Sequence, residues 1–66
     1  MRTHRYMITI VGRLGAVGRE AFAGFDITPD GPATVLAGEL DQAALYGALI
    51  CIQALDLELI GIARLG

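Results

Sequence analysis

Four groups of residues in this 66-residue chain have types and spacing that could do chemistry. Gly12, Gly15 and Gly18 follow an apolar, β-branched segment and precede Phe22. That is the setting in which a glycine-rich loop can cradle a phosphate with its backbone N–H groups. The spacing is not G-x-G-x-x-G, no Gly-Lys-Ser/Thr ending follows, and the chain is too short for the rest of a dinucleotide-binding unit. A flexible connector is the stronger reading, and an anion site aided by Arg13 or Arg19 the weaker one.

The carboxylates Asp26, Asp30, Glu39 and Asp41 could gather a hard cation. No spacing among them resembles a calcium loop, and Asp30 and Asp41 are better explained by a turn and a helix cap. Cys51 would be nucleophilic only beside a base, yet the sole histidine is His4 at the far end of the chain. Its neighbours Ile50 and Ile52 favour a neutral thiol, so it reads as a small buried hydrophobe. Tyr46 has a polar tip on an otherwise apolar stretch and fits either a ligand pocket or a contact surface. Tyrosine enrichment in contact patches favours the surface. No catalytic, cofactor-binding or metal-ligating residue is assigned, and the expectation is a non-enzymatic chain.

Length and composition point the same way. One domain, residues 1–66, is all the chain can form, and a domain this small buries only roughly 60% of the surface its unfolded form exposes. Small folds usually add disulfides or a metal, but a single cysteine and a single histidine supply neither. Hydrophobic residues make up 55% of the chain and charged residues 18%, a balance that suits an obligate oligomer better than a monomer. The net charge of -2 and the scattered arginines Arg2, Arg5, Arg13, Arg19 and Arg64 argue against nucleic acid. The N-terminal MRTHRYMITIVG reads as a strand and not a signal peptide, no apolar run is long enough to cross a bilayer, and the expected compartment is the cytoplasm.

The elements that would position these residues follow from periodicity. Arg5 to Val11 alternate between Tyr6, Ile8 and Ile10 on one face and Met7, Thr9 and Val11 on the other, which predicts a strand. A short, weak helix follows over Ala16 to Ala23. Phe25 to Thr28 and Ala33 to Gly38 flank Pro29-Asp30-Gly31-Pro32, a β-hairpin with its turn. With Asp41 as N-cap, Gln42 to Leu55 form a helix whose inner stripe is Leu45, Ala48, Leu49, Ile52 and Leu55. Leu57 to Leu65 form a last strand, expected to be covered on both faces. This order predicts an α+β ferredoxin-like βαββαβ plait, an antiparallel sheet with its helices on one face. The alternative, βββαβ, lacks the first helix.

The stretch AALYGALICI, Ala43 to Ile52, offers almost no polar face to water. A helix that is apolar nearly all round is covered on more than one side. Its second face, Ala43, Tyr46, Gly47, Ile50 and Ala54, stands where a monomer would carry Lys and Glu, and is the expected interface. A free sheet face bearing Met7 or Ile60 would invite a second sheet to stack.

Thr34-Val35-Leu36-Ala37-Gly38-Glu39-Leu40-Asp41-Gln42-Ala43-Ala44-Leu45-Tyr46-Gly47, with Leu57-Glu58-Leu59-Ile60 and Arg64, resembles a group of small, functionally unassigned bacterial proteins. The resemblance covers about the C-terminal half, and its motifs are only moderately specific. It implies no activity. In that group the second half of the helix carries arginine and aspartate, whereas this chain reads Leu49-Ile50-Cys51-Ile52-Gln53-Ala54. Divergence toward an oligomer and a redesigned interface both account for the loss of charge.

The leading expectation is therefore a module that associates with itself, as a homo-oligomer or designed assembly. The alternative is a small apolar-ligand-binding protein or cofactor-free enzyme, with a cavity at a dimer interface lined by Tyr6, Tyr46 and Phe22. A heteromeric partner covering the helix is a third, weaker possibility.

Overall fold

The computed structural model describes residues 2–65. Its elements run β1 (His4–Val11), α1 (Ala16–Ala21), β2 (Asp26–Asp30), β3 (Ala33–Leu40), α2 (Gln42–Ala54) and β4 (Leu59–Leu65). The fold is α+β, an open four-stranded sheet with two helices and strand order β2-β3-β1-β4. Every neighbouring pair of strands is antiparallel. Because α1 forms, the βββαβ order is not the one adopted.

Side-chain alternation sorts the sheet into two faces. Ile8 opposes Leu36 on one side and Ile62 on the other, so these three share a face. Ile8, Ile10 and Leu36 have no exposed surface and join Leu14, Phe22, Leu40, Ala48 and Ile52 in one buried cluster. Residues from both helical regions thus meet the same side of the sheet. Phe22 also packs edge-on against Phe25, with ring centroids 5.6 Å apart, the preferred aromatic geometry. Met7 opposes Ala37 and Ala63 on the other face, which is spanned at its rim by an ion pair of 2.9 Å between Arg5 and Asp26.

The hairpin turn is tighter than the sequence suggests. Pro29 and Asp30 belong to β2, opposite Thr34 and Ala33, and the loop is Gly31-Pro32 alone. Gly31 has φ +59 and the proline ring holds φ near about −65°, the φ sequence that a type II′ turn demands. A proline inside β2 is tolerated because that strand is an edge of the sheet.

Two further differences concern the ends of elements. The first helix closes at Ala21, with Phe22 as its C-cap turning into the core. The last strand begins at Leu59 and is not covered on both faces: every residue in it except Gly61 is exposed. Its position at the other edge of the sheet explains this, since neither helix nor another strand lies beyond it. Between Thr9 and Ile10 the β1–β4 register shifts by one residue, leaving Ile60 as a bulge.

Candidate functional site

Helix α2 starts where its cap chemistry places it. Asp41 takes an extended backbone, and its Oδ1 accepts the backbone N–H of Ala44 at 2.7 Å. From there the 3.6-residue period buries Ala48 and Ile52, with Leu45, Leu49, Cys51 and Leu55 packed partly against the core. Cys51 is half-buried and unpaired by any disulfide.

The opposite face carries all five expected contact residues, Ala43, Tyr46, Gly47, Ile50 and Ala54, and all five are exposed. Ile50 is 65% exposed and Tyr46 54%. The Tyr46 hydroxyl accepts a hydrogen bond from the Gln42 side chain at 2.9 Å, one turn earlier on the helix. This pins the ring along the helix surface. At Gly47 a Cβ would meet no atom within 4 Å, so the helix is flat there and another backbone could approach closely.

The residues considered for chemistry are placed apart or are otherwise engaged. Gly12 has φ +82, a conformation that glycine adopts without strain. Its carbonyl accepts from the Thr34 hydroxyl at 2.6 Å and its N–H donates to the Pro32 carbonyl at 2.7 Å. The loop is therefore tied to the hairpin through its own backbone groups. Gly15 is the α1 N-cap and contributes no side-chain hydrogen bond, while Arg13 and Arg19 are exposed. Asp26 is paired with Arg5 and Asp41 with the helix end. Among the described residues, no three His, Cys, Asp or Glu side chains come together as a metal site would require.

Within the single chain the aromatic trio Tyr6, Tyr46 and Phe22 is not brought together. Phe22 is 1% exposed and fills the core, Tyr6 packs against the core from β1, and Tyr46 stands on the outer side of α2. Another apolar groove of about 320 Å³ runs between the start of α1 and the segment after α2, lined by Leu14, Gly15, Ala16, Val17, Gly18, Leu55 and Leu57. Sequence periodicity offers no signal for it, because it forms where the start of α1 meets the segment after α2, far apart in the chain.

Taken together, these features define a small α+β domain with an open antiparallel sheet and a broad exposed apolar surface on one helix. Residues 5–63 match the model of a family described as a domain of unknown function (DUF8691), and the chain belongs to that family. Searches of curated proteins and of solved structures gave no match. No helix among the described residues is long and apolar enough to cross a membrane.

Proposed function

We propose that this protein is a non-enzymatic module whose function is to associate with a second copy of itself through the outward face of α2. The observation that carries the reading is the exposure of Tyr46 and Ile50 on a helix with no charged residue between Gln42 and Ala54. A solvated helix normally carries charge on its outer face. Exposed Ala43, Gly47 and Ala54 flank the two larger side chains, a surface on which two helices can lie close. The strand order and antiparallel pairings support reading the scaffold as a ferredoxin-like plait. The reading holds equally for a natural helix face and for a redesigned one.

The test is native mass over a dilution series for the parent chain and for Ile50→Glu. Ile50 is mostly exposed within the chain, so the variant should fold, while a carboxylate buried without a partner at an interface should disrupt assembly. The expected outcome is a multimer for the parent and a smaller species for the variant, with unchanged circular dichroism. A parent that is monomeric throughout, or a variant of unchanged mass, sinks the reading.

A further inference from the structure

We draw no further inference here: the strongest candidate, the apolar groove of about 320 Å³ between the start of α1 and the segment after α2, is lined by apolar residues alone, and nothing in the structure shows what covers it.

Discussion

At the residue scale, the most constrained polar group is Thr34. It is 3% exposed, and its hydroxyl donates to the Gly12 carbonyl at 2.6 Å. That bond ties the turn after β1 to the start of β3, across 22 residues of sequence. Thr34→Val keeps the shape and removes the donor, leaving a partly buried carbonyl without this partner. Unfolding stability should fall by about 1–2 kcal/mol, seen as a lower urea midpoint at unchanged slope, and an unchanged midpoint would show the bond to be replaceable by water. Sequence alone could not single out Thr34, because its partner lies in a connector that reads only as glycine-rich. Asp41 was legible, since an acid just before an apolar period is a cap signal that depends on no distant residue. Tyr46 was legible as exposed and its Gln42 hydrogen bond was foreseeable from i, i+4 spacing alone.

At the element scale, α2 ends in a way the sequence conceals. The Leu57 N–H donates to the Ile52 carbonyl and the Asp56 N–H to the Gln53 carbonyl, the paired bonds of a Schellman cap. The position that must turn left-handed is Asp56, at φ 57. A glycine there would adopt this φ without a side-chain clash and would remove a negative charge from the negative end of the helix. Asp56→Gly should therefore raise stability by about 0.5–1 kcal/mol, measured by thermal or denaturant midpoint at fixed protein concentration. A lower midpoint would mean that the Asp56 side chain holds the turn. The order of elements was legible because each has its own period: two for β1 and β3, 3.6 for α2. Strand ends and edge positions were not. Alternation predicts which faces of β4 point which way, but only the pairing order decides that nothing lies beyond it, and Pro29 reads as a turn residue because an edge strand and a turn tolerate proline alike.

At the scale of the whole molecule, the apolar residues are divided. Among the described residues eight hydrophobics are buried, and eight large ones are exposed, four of them on β4. Under the proposed self-association, a 7.0 kDa chain with so much left uncovered would gain stability. Of its 4308 Å² of surface, a standard interface of about 800 Å² per partner would cover about a fifth. Under that proposal only the folded form associates, so the melting temperature should rise by roughly 3–5 °C for each tenfold increase in protein concentration. Scanning calorimetry at three concentrations checks this, and a constant value would mean that the folded chain stands alone. The proline-bearing edge at β2 has a further consequence for size. In the language of polymer chemistry, a sheet with one blocked edge is at most a monofunctional unit. Through their strand edges such units couple once at most, so added material does not lengthen a sheet beyond a pair. Pro29, with Asp26 and Asp30 in the same strand, thus caps the length of any continuous sheet that this chain enters, whatever its other edge does.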